Sequence, residues 1–283
     1  MKPIEECGVG IAGLGIMGGA FAAAMRKLPA GRILAFDKDS GVLKTALDRG
    51  AIDESFTDPA AMFEKSDFVI LCLNPSALVD VAEKYMAFFK TGALVTDIAG
   101  IKRRVADLAG RFRKDVDFIP GHPMAGAEGA GFANAGKVNF EGKNYILTPL
   151  ERNKKENLLW LTGIIRRMGF KDITETSPED HDGKIAFTSQ LCHVIAAALI
   201  DCEDNKEITR YGGGSFEDLT RIAVLNAPMW TELFLENREK LLGHIGRFEQ
   251  SLDEIKALLG GGKSAELEAR LAAVRDRRRE MAG

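Results

Sequence analysis

The chain lacks most of the features that signal a metal centre, a disulfide framework or a charged partner. It has four cysteines and four histidines in 283 residues. No cysteine pair stands at C-x-x-C or zinc-ligand spacing, so no metal is expected. Cys7, Cys72, Cys192 and Cys202 read as buried free thiols in a reducing compartment. A net charge of −3 gives no electrostatic case for nucleic acid or an anionic membrane as partner. The N-terminus has no signal-peptide pattern, and no apolar run reads as long enough to cross a bilayer. A soluble cytoplasmic protein is expected. Apolar residues make up 46%, which is enough for a sizeable core.

What is present begins with an apolar run, Val9 to Ala12, followed by Gly13-Leu14-Gly15-Ile16-Met17-Gly18 and a helical stretch. Strand, GxGxxG and helix in that order form the context of a dinucleotide site. Gly13 permits the tight turn, Gly15 the approach of a pyrophosphate, and Gly18 close helix–strand packing. The phosphates would sit on the free N–H groups of the helix start. Arg32 to Phe36 reads as the next strand, and Asp37 ends it. A carboxylate there accepts ribose hydroxyls and repels a 2′-phosphate, which favours NAD over NADP.

The alternation continues through strands at 67–73, 93–97 and 117–120, with 144–148 expected to close the sheet. Ligands of such sheets bind beyond the strand C-terminal ends. Asn74-Pro75, the segment from Asp97 to Lys102, and the segment from Gly121 to Glu128 should therefore line one crevice. Within it His122 is held by Pro123 and flanked by glycines. The expected fold is α/β: an N-terminal Rossmann-type doubly wound sheet over 1–149, followed by a helical domain over 150–283. In the second half Ser177-Pro178-Glu179-Asp180 reads as a helix start. The run from Ile185 to Ile200 is apolar on nearly every side, which suggests a helix shared with a second subunit. His193 lies within it and by itself reads as a core residue. The basic end, Arg275 to Arg279, reads as a solvated helical tail.

Taken in order, these stretches resemble the prephenate and arogenate dehydrogenases of tyrosine biosynthesis. The resemblance rests on the GLGIMGG loop, Thr96-Asp97 with Lys102, and GHPMAG with Glu128. It also rests on SPEDHD at 177–182, Gly212-Gly213-Gly214 through Asp218-Leu219-Thr220-Arg221, and Met229-Trp230. It implies the NAD-dependent oxidation of prephenate, with loss of CO2, to 4-hydroxyphenylpyruvate; a homodimer is expected on the long apolar helix. His122 would accept the hydroxyl proton. Arg221 would bind a carboxylate through its planar fork. His193 and Gln190 would contact the substrate side, Glu128 would moderate Arg221 or gate the site, and Lys102 would be a second cation. Gly13 to Gly18, Asp37, Asn74, Pro75 and Asp97 would hold NAD.

The chain departs from the family pattern at Gly100, where many members carry serine, and at Gln190, where some carry histidine. The alternatives are arogenate as substrate, a β-hydroxyacid dehydrogenase or imine reductase, and a non-catalytic NAD-binding regulator.

Overall fold

The computed structural model describes residues 1–127 and 129–281. Its first part alternates strand and helix. The elements are β1 (Gly8–Ala12), α1 (Ile16–Lys27), β2 (Arg32–Phe36), α2 (Ser40–Asp48), β3 (Glu54–Phe56) and α3 (Pro59–Lys65). They continue with β4 (Phe68–Leu71), α4 (Pro75–Lys84), β5 (Leu94–Asp97), α5 (Arg103–Gly110) and β6 (Asp117–Phe118). Asp39 and Asp58 cap α2 and α3 by accepting hydrogen bonds from first-turn N–H groups. The sheet order is β3-β2-β1-β4-β5-β6, with every pairing parallel. The order reverses beside β1, so a crevice opens at the C-terminal ends of β1 and β4.

β4 shows why its sequence is apolar throughout. Phe68 and Ile70 point into one buried cluster, Val69 and Leu71 into the other. A strand covered by helices on both faces has no solvent side to mark.

Three further strands leave the main sheet. β7 (Gly121–Pro123) pairs antiparallel with β8 (Tyr145–Leu147), and β8 pairs parallel with β9 (Ile173–Glu175). The segment expected to close the main sheet thus builds a second one. β3 is a strand that the sequence reading does not supply. Between β8 and β9 runs α6 (Lys155–Arg167). Its Leu161, Ile164 and Ile165 join the cluster that contains α1 and β1.

Helices make up the remainder: α7 (Pro178–Ile185), a π-helical stretch at Ala186–Leu191, α8 (Cys192–Asp201), α9 (Gly214–Thr220) and α10 (Ala227–Glu236). They end with α11 (Arg238–Gly260) and α12 (Ser264–Glu280). Ser177 Oγ accepts from Asp180 N at 3.1 Å and caps α7.

Two expectations change here. Pro178–Asp201 is one helical run of 24 residues, long and apolar enough by length and composition to cross a membrane. The charged residues of its first turns had masked it. Of the four thiols, Cys7 is buried and Cys72 half-buried, but Cys192 and Cys202 are exposed on α8 and just after it. Their apolar neighbours also lie open, including Phe187, Leu199 and Ile200.

Candidate active site

The loop between β1 and α1 has the features of a phosphate cradle. Gly13 adopts φ +93°, and a Cβ there would meet the carbonyl of Cys72 at 2.6 Å. A Cβ on Gly18 would stand 1.9 Å from the carbonyl of Gly13, so only glycine lets α1 pack this closely. Gly15 caps α1 with no side chain and faces open space, with Ile16 and Met17 partly exposed beside it. The first-turn N–H groups of α1 are thus clear for a phosphate. Leu14 is turned inward. Its side chain lies in the core and its N–H donates to Asp37 Oδ2 at 2.7 Å. Asp37 Oδ1 accepts from Asp39 N, which holds the carboxylate at the tip of β2 with lone pairs left for ribose hydroxyls. These residues fit a dinucleotide.

Asn74 is exposed before α4, while Pro75 is buried as its first residue. The N–H of Ser76 donates to Glu232 of α10 at 2.6 Å. Arg104 of α5 pairs with Glu236 of α10 at 2.7 Å. The helical part is thereby fastened across the ends of β4 and β5.

His122 sits at the centre of β7, between buried Gly121 and Pro123. Gly121 cannot carry a side chain, because a Cβ would stand 2.7 Å from the Tyr145 hydroxyl. Its N–H donates to Asp97 Oδ1 at 3.1 Å, which fixes the strand beside the end of β5. His122 Nδ1 lies 2.9 Å from His181 Nε2, and His181 Nδ1 lies 2.7 Å from Asp182 Oδ1. The carboxylate sets the tautomers along this chain. Asp182 can only accept, so His181 Nδ1 carries its proton and His181 Nε2 has the lone pair. His122 Nδ1 must then donate, which leaves His122 Nε2 as an acceptor.

Asp182 also accepts from the backbone N–H groups of Lys102 at 2.8 Å and Arg103 at 3.0 Å. One carboxylate from α7 therefore caps α5 as well as orienting both rings. Burial, then His181, then Lys102 hold the His122 imidazole well below its ordinary value. Burial also lowers His181, with Asp182 acting in the opposite direction. Both rings are neutral near pH 7.

Three expected contacts are corrected. Lys102 is fully buried, its Nζ 2.5 Å from the equally buried Asp97 Oδ2. It is the inner half of an ion pair and not a cation open to the crevice. Asp97 is correspondingly occupied by Lys102 Nζ, Ala99 N and Gly121 N, so it braces the crevice wall from behind. Gln190 is turned into the helical pack, where Nε2 donates to the Leu233 carbonyl and Oε1 accepts from Asn237 Nδ2. Both ends of the amide are satisfied inside the protein.

On the substrate side, His193 stacks on Trp230 with ring centroids 3.7 Å apart. Its Nδ1–H donates to the Ser189 carbonyl at 2.8 Å, so Nε2 is the acceptor. Burial first lowers its basicity, and the Arg221 cation adds to that. Arg221 lies exposed in the short turn after α9. Glu128 lies outside the described residues. Gly100 faces His122 directly. A Cβ there would be 3.9 Å from His122 Nε2 and 3.5 Å from Leu233, so the serine of other members would fit. Among the described residues no group of three or more His, Cys, Asp or Glu could hold a metal.

Sequence reasoning missed the roles of His181 and Asp182. The SPEDHD stretch reads as a helix start, but nothing local ties it to a histidine 59 residues earlier.

Residues 21–173 match the family described as prephenate dehydrogenase, nucleotide-binding domain, and residues 177–273 its dimerization domain. The chain is 31% identical over 256 residues to a prephenate dehydrogenase of Bacillus subtilis, covering 87% of this chain and 68% of that one. Among solved structures, the prephenate dehydrogenase of A. aeolicus in complex with hydroxyphenyl propionate and NAD+ is 34% identical. Its TM-score is 0.86, with 97% of this chain and 98% of that one covered. An arogenate dehydrogenase of Synechocystis is 25% identical with a TM-score of 0.78, covering 96% and 99%. The glycine cradle, the histidine at the strand ends and these two matches, which together span most of the sequence, agree: the chain belongs to the prephenate dehydrogenase family.

Proposed function

We propose that this chain oxidises prephenate with NAD, releasing CO2 and 4-hydroxyphenylpyruvate. The observation that carries the reading is His122, a neutral imidazole whose Nε2 is left as an acceptor at the mouth of the crevice. NAD, held by the β1–α1 loop and Asp37, supplies the hydride acceptor. His122 Nε2 takes the ring hydroxyl proton as the carbonyl forms, help worth about 10²–10⁴-fold. Arg221 binds a substrate carboxylate, and His193 on its Trp230 platform contacts the side chain. The carboxylate that departs as CO2 must not be gripped too tightly, because ground-state binding slows its loss. Glu128 moderates Arg221 in this scheme, and charge reversal there should alter kcat or KM.

Two structural readings accompany the chemistry. The division between the cofactor part and the helical part is proposed after Glu175, not at Pro149, supported by the packing of α6 and β9 on the first core. A homodimer is proposed through α7–α8 and α10. The open apolar side chains there support it, among them Phe187, Ile200 and Leu235. A monomer in sedimentation at micromolar concentration would refute it. A cytoplasmic location fits the unpaired, exposed thiols.

NADH formation at about 340 nm, measured with prephenate and with arogenate and with NAD and NADP, tests the reading. Turnover of prephenate with NAD is expected. Turnover of arogenate alone would keep the mechanism and change the substrate. No turnover of either would overturn the proposal.

A further inference from the structure

Prephenate oxidation, on which this inference rests, consumes no net proton. A ring C–H bond breaks and its pair leaves as hydride to NAD. The C–CO2 bond breaks and its pair flows through the ring onto the oxygen. That oxygen lost a proton when the carbonyl formed, and it needs one back to end as a phenol. The proton must therefore be held nearby through both steps.

We propose that His122, His181 and Asp182 form a closed proton store: the proton taken by His122 Nε2 is matched by transfer of the Nδ1 proton to His181 Nε2, rests on His181 as an imidazolium against Asp182, and returns by the same route to the phenolate oxygen. Uptake breaks the substrate O–H bond and makes an N–H bond on His122, transfer between the rings exchanges one N–H bond for another, return remakes an O–H bond, and no further reactant is needed.

The geometry supports each link. The two hydrogen bonds are 2.9 and 2.7 Å, within reach for transfer without ring movement. The His181 side chain is 0% exposed and that of Asp182 2%, so bulk water does not drain the store. Asp182 accepts from two backbone N–H groups at the start of α5, which fixes its carboxylate against His181 Nδ1.

The surrounding charges bias the store inward. Lys102 disfavours a proton on either ring. Asp182 and Asp97 favour one on His181, and among the described residues no carboxylate does so for His122. Asp182 itself lines a polar cleft of about 270 Å³ with Arg103, Glu236, Arg238, Glu239 and Lys240, a set whose charges balance. His181 is a positioning residue here, because it acts through His122.

The test is a pH titration of the ¹⁵N-histidine-labelled, NAD-loaded protein by NMR. The expected result is that both imidazoles carry Nδ1–H at neutral pH, and that on acidification His181 becomes the imidazolium before His122. His122 protonating first, or His181 carrying its single proton on Nε2, would overturn the store. A second arm uses His181→Gln, whose amide oxygen still accepts from His122 but cannot take its proton. There kcat should fall by about 10²-fold, the low end of general-base help, with KM and NAD affinity unchanged. A kcat equal to that of the parent would overturn it. The titration needs no turnover. An inert parent with the expected order would therefore fault the substrate reading alone, and an active parent with the reverse order would fault the store alone.

Discussion

The two ends of this chain solve the problem of burial differently. In the first, two clusters line the two faces of a six-stranded sheet, and strand residues such as Val69 and Ile70 are completely covered. In the second, neither cluster has a fully buried member beyond Phe170, and α12 has no buried residue at all. Val224 is 85% exposed, and Leu235 and Leu242 are above 60%. The contrast teaches that the cofactor half has a core of its own, whereas the helical half leaves large apolar side chains open. The site lies on the seam. His122 comes from the half with its own core, and His181, Asp182, His193 and Arg221 from the half with the open apolar side chains.

The largest effect that probes the seam is loss of its base. His122→Asn should cut kcat/KM for prephenate by about 10²–10⁴-fold while NAD affinity is kept, as measured by steady-state kinetics and cofactor titration. Near-parent activity would show that the seam is not the reaction centre. Next in size is the ion pair behind it. Lys102→Met leaves Asp97 buried without its cation, and a broken buried pair costs about 3–5 kcal/mol. Denaturant unfolding should show that loss in the cofactor half. An unchanged midpoint would mean that Asp97 is not sealed from water.

Cofactor choice depends on a residue at the edge of the seam. Asp37→Ser removes a like charge facing a 2′-phosphate, an interaction worth several kcal/mol. The NAD-to-NADP preference should fall by about tenfold or more in comparative kinetics. The dimer face gives a subtler effect. Leu235→Lys should shift sedimentation toward monomer without unfolding the sheet, which would separate the two halves experimentally. The smallest effect is Gly100→Ser. Its Cβ meets only ordinary contacts, so folding should change by less than about 0.5 kcal/mol.

The same contrast explains what the sequence made legible. The alternation of short apolar strands and helices is repeated, so the Rossmann half could be read, as could the glycine cradle and Asp37. His122 stood out through its flanking proline and glycines. The errors share one physical cause: a strand end or helix start does not reveal which way a polar side chain turns. Lys102 and Asp97 turn toward each other beneath the crevice floor, Gln190 turns toward Asn237, and Leu14 turns into the core. The His122–His181 contact joins β7 to α7, a pairing set by packing across the seam and invisible to local pattern. Tyr145–Leu147 has the period of a strand, but the period names no partner, and it pairs with Gly121–Pro123 outside the main sheet.

The central claim is that a neutral, half-buried His122 is the acceptor of the substrate proton. The pH dependence of kcat/KM for prephenate with saturating NAD tests it most directly. The folded-state imidazole is held below its ordinary value, so the active neutral form persists as pH falls through about 6.5, the unperturbed range. The acid limb is therefore predicted well below that value in the parent, and it should be absent from the residual activity of His122→Asn. An acid limb at or above about 6.5, or the same limb in the variant, would contradict the account.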